Sequence, residues 1–185
     1  MATSKNERRK LIDKALVTLG MVATLALLAI GGVAWWAYGF TSGNVHDELA
    51  QQKIFFPEKG SAALNALPPA QQAAVSQYAG QQVLDGAQAK VFANDYIAVH
   101  LQKIGGGLTY SEVSAKAMTE PTNAKLQAQA NTLFKGETLR GLLLGDAYAF
   151  WTIGQIAKVA AIVAVVAGGV MLVLVVLGIR HLSGL

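Results

Sequence analysis

The sequence predicts an all-α membrane protein in which two transmembrane helices form a hairpin, with a small helical extracytoplasmic domain between them. Three observations carry that class. No residue from Val159 to Ile179 ionises, and at 1.5 Å of rise per residue such a run matches the roughly 30 Å hydrocarbon core of a bilayer. A second apolar run extends from Ala15 to Trp36 near the N-terminus. Aromatic residues gather where each run faces the middle of the chain: Trp35, Trp36, Tyr38 and Phe40 close the first, and Tyr148, Phe150 and Trp151 precede the second. Amphipathic rings settle at the headgroup level, so both clusters are expected at one membrane surface. Lys158 is expected at the same boundary, its ammonium reaching outward while its stem stays in apolar surroundings.

Composition agrees. The chain is 53% hydrophobic and 14% charged, where an ordinary soluble domain is about a quarter charged. It has no cysteine, which removes disulfides, iron–sulfur clusters and thiolate metal sites. The formal net charge of +4 is not the footprint of a nucleic-acid partner once it is divided by segment. Before Leu16, Lys5, Arg8, Arg9, Lys10 and Lys14 outnumber Glu7 and Asp13, whereas the basic and acidic residues between Thr41 and Thr152 nearly balance.

Residues 1–14 form the expected cytoplasmic N-terminal segment, because basic residues flanking a first apolar run hold that end inside. A cleavable signal peptide is the competing reading; the apolar run is too long for one, and Ala34-Trp-Trp-Ala37 puts bulky residues where a cleavage site needs small ones. An uncleaved anchor is preferred. Residues 15–40 are assigned to the first transmembrane helix with its outer aromatic belt, 41–147 to the extracytoplasmic domain, 148–180 to a juxtamembrane segment and the second transmembrane helix, and 181–185 to a cytoplasmic tail. Arg180 and His181 agree with a C-terminus returned to the cytoplasm.

The middle segment, about 110 residues, is close to the modal size of a domain. It reads as helical, since residues with good helix propensity dominate and β-branched or aromatic residues never alternate as a half-buried strand requires. Phe55-Phe56-Pro57-Glu58-Lys59-Gly60 is a break, and its Phe55, Phe56 and Pro57 form a candidate partner-binding loop. Pro69 suits a first helical position, from which a helix is expected to run to about Leu84. Another is expected from Ala87 to Ile104, closed by the glycine triplet 105–107 as a C-cap or hinge. Thr109 and Glu112 have capping-box spacing for a short helix to Met118. A last helical pattern is expected from Pro121, interrupted near Gly136 or Gly141, and running into the second span.

Chemistry-bearing constellations are sparse. His46 or His100 with Asp47, Glu48 or Asp95 would offer imidazole and carboxylate for a metal, but no spacing among them matches a ligand motif. There is no Gly-x-Ser-x-Gly, and the glycine triplet lacks the lysine and strand of a phosphate loop. Neither a catalytic residue, a metal ligand nor a cofactor is assigned. The spans do carry a packing pattern. Ala157, Ala161, Ala164 and Gly168 line one face of the second, and Gly20, Thr24 and Gly31 a looser equivalent of the first. Small residues let helix backbones approach closely, the main route by which helices associate in lipid.

The run from Lys14 to Trp36 resembles a family of small two-span membrane proteins of actinobacteria. So do Gln52-Lys-Ile-Phe-Phe-Pro-Glu-Lys-Gly60, Tyr78-Ala-Gly-Gln-Gln82, and Leu133 to Gly145 with the following Tyr148-Ala-Phe-Trp151. The resemblance implies an actinobacterial plasma membrane and a helical outer domain carrying the Phe-Pro-Glu-Lys-Gly segment. Some members go by the description of aromatic ring-opening dioxygenase, an activity for which the residues here supply no ligand set. The expected function is that of a non-enzymatic accessory or scaffold subunit in the lipid bilayer, binding other membrane proteins or copies of itself. A homo-oligomeric channel or ligand-gated pore is the alternative, and a membrane-bound enzyme a further one.

Overall fold

In the computed structural model, which describes residues 5–184, helices dominate and no strand forms among the described residues. Helix α1 (Lys5–Gln52) is unbroken because no proline occurs before Pro57. It stops where Lys53 takes a left-handed conformation, φ +52°. Helix α2 (Ala62–Asn65) is capped by the Ser61 hydroxyl, which accepts from the Leu64 N–H.

Helix α3 (Pro69–Ser76) ends well before Leu84, the expected limit. Two features stop it. Gly80 adopts φ +72°, a conformation that suits glycine. Residues beyond it then pair with the chain after α1: the Val83 N–H donates to the Ile54 carbonyl at 2.8 Å and the Phe56 N–H to the Gln81 carbonyl at 2.9 Å. Helix α4 covers residues 86–105, and Asp85 caps it by accepting from the Gln88 N–H at 2.8 Å. A π-turn, Phe92–Ile97, interrupts its α geometry, and Gly106 ends it at φ +62°. Helix α5 (Tyr110–Thr119) opens with a capping box in which Thr109 and Glu112 satisfy each other's backbone.

Helix α6 (Ala124–Ser183) starts three residues later than Pro121, because Asn123 supplies the cap by accepting from the Leu126 N–H. It passes Gly136 and Gly141 without a break. The irregularity lies further on, as a π-turn over Leu143–Ala149. An added residue in one turn rotates everything after it by about 100°, and here the turn buries Leu143 and Ala147 while leaving Asp146 exposed.

The chain divides into two compact units: one holds the residues up to Phe40 and from Gly154 onward, the other Thr41–Ile153. The second unit is organised around large side chains. Leu133, Val75, Val83 and Val113 are its largest fully buried residues. A run of rings crosses the core, Tyr78 to Phe56 at 5.2 Å, Phe56 to Phe92 at 5.2 Å and edge-on, Phe92 to Tyr96 at 5.0 Å. The first unit has no comparable core. α1 and α6 meet there along a narrow seam, and Leu25 remains 69% exposed and Val163 62%.

Candidate functional site

In the first unit the seam places the small residues at the point of closest approach. Gly31, Ala161, Ala164 and Gly168 are buried, Thr24 is buried, and Gly20 and Ala157 are half-buried. A Cβ on Gly20 would lie 2.8 Å from Val175 Cγ2, and one on Gly31 would lie 2.8 Å from Val165 Cγ2. On Gly168 it would meet Leu28 Cδ2 at 3.1 Å. The Thr24 hydroxyl donates to the Gly20 carbonyl of its own helix at 2.8 Å, so it brings no bond between helices.

The seam is longer than the small residues alone suggest. Its less exposed positions on α1 are Val17, Gly20, Thr24, Leu27, Gly31, Ala34 and Tyr38, and on α6 they continue past Gly168 to Met171, Val175 and Gly178. A Cβ on Gly178 would meet Val17 Cγ2 at 2.8 Å. Spacings that alternate between three and four residues give the 3.5-residue repeat of left-handed helix pairing. That repeat was the available signal for Val17, Met171 and Val175, which small size does not mark, and it carries the glycine pattern on to Gly178.

The aromatic residues fall into two environments. In the first unit Trp35, Trp36 and Phe40 are each more than half exposed; Trp36 stacks on Phe40 at 5.6 Å, and Trp35 meets Tyr38 edge-on at 5.8 Å. Lys158 Nζ sits 5.0 Å from the centre of the Tyr38 ring, so the ammonium faces an aromatic quadrupole. In the second unit Tyr148, Phe150 and Trp151 are half-buried and pack on the core. Trp151 lies directly over Gly86, where a Cβ would come within 2.5 Å of it. Lys90 Nζ donates to the Tyr148 hydroxyl oxygen at 3.2 Å. That hydrogen bond, then the lysine's charge, holds the phenol below its ordinary range.

The loop after α1 divides its three residues differently again. Phe56 is 2% exposed and belongs to the core, Pro57 is half-buried with its carbonyl accepting from the Gly80 N–H, and Phe55 is 55% exposed. Of the three, Phe55 presents the free ring.

The second unit also carries clefts. A cleft of about 170 Å³ beside the π-turn of α6 has Val45, Leu49 and Leu143 in its floor and the carboxylates of Glu48 and Asp146 in its lining. A shallower one lies between α5 and α6. His46 is exposed, and the His100 Nδ1 is 2.8 Å from the Tyr96 carbonyl oxygen, with the two rings 4.5 Å apart. Among the described residues no group of three or more His, Cys, Asp or Glu side chains converges to hold a metal. No family model, curated protein or solved structure matches the chain.

Proposed function

We propose that the protein is a two-pass plasma-membrane protein, non-enzymatic, whose two spans form a hairpin and whose second unit is an extracytoplasmic binding module serving a larger membrane assembly. One observation carries the reading. Two helices are long and apolar enough to cross a membrane, and only 11% and 17% of their most apolar stretches are buried. A soluble protein buries such helices in its core, whereas in lipid the exposed apolar faces are solvated and only the small-residue seam needs protein contact.

Orientation follows from the basic N-terminal residues, which favour the cytoplasm. The exposed Trp35, Trp36 and Phe40 suit the opposite headgroup layer. The binding role rests on the second unit having clefts with few polar groups instead of a nucleophile, base and orienting partner in one place.

Membrane extraction tests the first part: the chain should stay in the pellet through alkaline carbonate and leave it with detergent, and release by carbonate would overturn the reading. Topology reporters fused at Gly60 and after Leu185 should report outside and inside respectively. Native mass measurement after mild extraction should show other proteins or further copies bound; a lone monomer would remove the accessory role.

A further inference from the structure

We infer that the groove between α5 and the start of α6 is a saccharide site, taking a β-linked glycan of pyranose rings. The groove, about 280 Å³, is lined by Tyr110, Ser114, Gln127, Ala130, Asn131 and Phe134. None of these side chains is charged at neutral pH, so a ligand held by ion pairing gains nothing there. What the groove offers is two aromatic rings beside three neutral hydrogen-bonding groups.

The rings of Tyr110 and Phe134 lie 5.6 Å apart and are inclined by 47°, so they pack on each other and together form an apolar wall of the groove. Phe134 is 51% exposed, although the rest of its helix turn buries Leu133. A pyranose with equatorial hydroxyls presents C–H bonds on its faces and hydroxyls round its edge. Its face therefore suits the rings and its edge the amides. Gln127 is already oriented, because its side-chain N–H donates to the Ala117 carbonyl at 2.6 Å. That leaves its amide oxygen to accept from a sugar hydroxyl. Ser114 and Asn131 make no side-chain hydrogen bond among the described residues, so a hydroxyl donor and a full amide stand ready. An acetamido substituent would find the Asn131 amide complementary at both ends, which ranks N-acetylated sugars first.

Helical spacing explains why these groups converge. Tyr110 and Ser114 are four residues apart on α5, and Gln127, Asn131 and Phe134 follow at four and three on α6, so each set lies along one face. The capping box at Thr109 and Glu112 fixes where the α5 face begins. The site is shallow, with groove walls on two sides, and it suits the side of an extended polymer better than an engulfed monosaccharide. Only the source of the glycan, the cell envelope, rests on the outward placement proposed above; the chemistry of the groove does not.

The test uses the full chain in phosphocholine micelles, since glucoside or maltoside detergents carry a competing sugar. Saturation-transfer NMR and titration calorimetry with chitotetraose and with cellotetraose should show binding, tighter for the acetylated sugar. Phe134→Ala should weaken it about tenfold through the lost ring contact, and Asn131→Ala about fivefold through the lost amide. Phe134→Trp, which keeps a stacking face, should restore affinity. Far-UV circular dichroism of each variant should match the parent, as expected for exposed positions. Absence of transfer to either sugar, or affinity unchanged in both alanine variants, would overturn the proposal. Since the measurement is made on solubilised protein, its failure and a failure of the topology experiment are separate results.

Discussion

The two units solve the same packing problem with opposite materials. In the first, α1 and α6 come together because side chains are missing: Gly20, Gly31 and Gly178 leave room that the valines opposite them fill. In the second, helices are held apart by large side chains that fill the space between them, with Leu133, Val75, Val83 and Val113 fully buried. The contrast follows from the solvent each unit is proposed to meet. Water drives large apolar groups inward at roughly 1.5–3 kcal/mol each, whereas lipid tails reward only close backbone approach. Sensitivity should therefore be inverted, with shrinkage damaging one unit and enlargement the other.

The largest expected effect is in the second unit. Phe56→Ala removes a buried ring that touches both Tyr78 and Phe92, and the loss should be about 3–5 kcal/mol. Denaturant titration in micelles, followed by tryptophan fluorescence, reads it. Phe55→Ala, one residue away but 55% exposed, should stay within about 0.5 kcal/mol of the parent. If the two variants proved alike, the division between core and free ring in this loop would be wrong.

Enlargement in the first unit comes next. Gly31→Leu drives a side chain into Val165 and should cost about 1–3 kcal/mol, read as earlier loss of helix pairing in a cysteine cross-linking assay between α1 and α6. Gly32 has nothing within 4 Å of its missing Cβ, so Gly32→Leu should leave the same assay unchanged. Equal damage from both substitutions would break the seam as described.

Helix propensity and capping were legible in the sequence because they act between residues a few positions apart. The Thr109–Glu112 box, the left-handed Gly106 and the start of α3 at Pro69 are of this kind. What the sequence concealed depends on distant partners. The end of α3 at Ser76 is set by residues 81–83 bonding to residues 54–56, across more than twenty positions of chain. The π-turn at Leu143–Ala149 contains Gly145, but one glycine inside a helical pattern does not announce a π-turn, and the helix interruption expected at Gly136 or Gly141 is not there, because Gly136 is needed where Leu101 packs against it. The candidate groove was equally hidden, since Tyr110 and Phe134 meet only after α5 folds back on α6. The seam was half visible: small residues announced Gly31 and Ala161, while Val17 and Val175 needed the heptad rhythm.

Local capping also yields a smaller, pH-dependent effect in the second unit. The Thr109 backbone N–H donates to the Glu112 carboxylate at 2.7 Å, and its hydroxyl donates at 2.8 Å. These bonds, the backbone one first, hold that carboxyl below the ordinary glutamate range. A depressed acid stabilises the fold above its ordinary pKa, and the contribution is lost as pH falls through the lower folded value. Thr109→Ala should cost about 1 kcal/mol at neutral pH. The gap between variant and parent should narrow on acidification below about pH 4.3. The backbone bond survives in the variant, so a gap independent of pH would mean that the bond from the Thr109 hydroxyl to the carboxylate takes no part in the cap.

The smallest effect sharpens the comparison at Tyr148, a ring the sequence groups with the headgroup aromatics and the structure ties to Lys90. Lys90 Nζ donates to the phenol oxygen and also lies 4.8 Å from the ring centre. Its hydrogen bond and charge favour the phenolate and lower the pKa. Because the ordinary value is about 10, the phenol is neutral at pH 7 and Lys90→Met should leave neutral-pH stability nearly unchanged. The difference belongs at high pH, where the folded phenolate gains a partner the unfolded chain lacks. An absorbance titration at the tyrosinate band should show one of the five tyrosines ionising early, and Lys90→Met should move that one step upward and leave the others in place. If the two titrations superimpose, Lys90 does not reach Tyr148 in solution, and the ring returns to the headgroup set with Trp35 and Trp36.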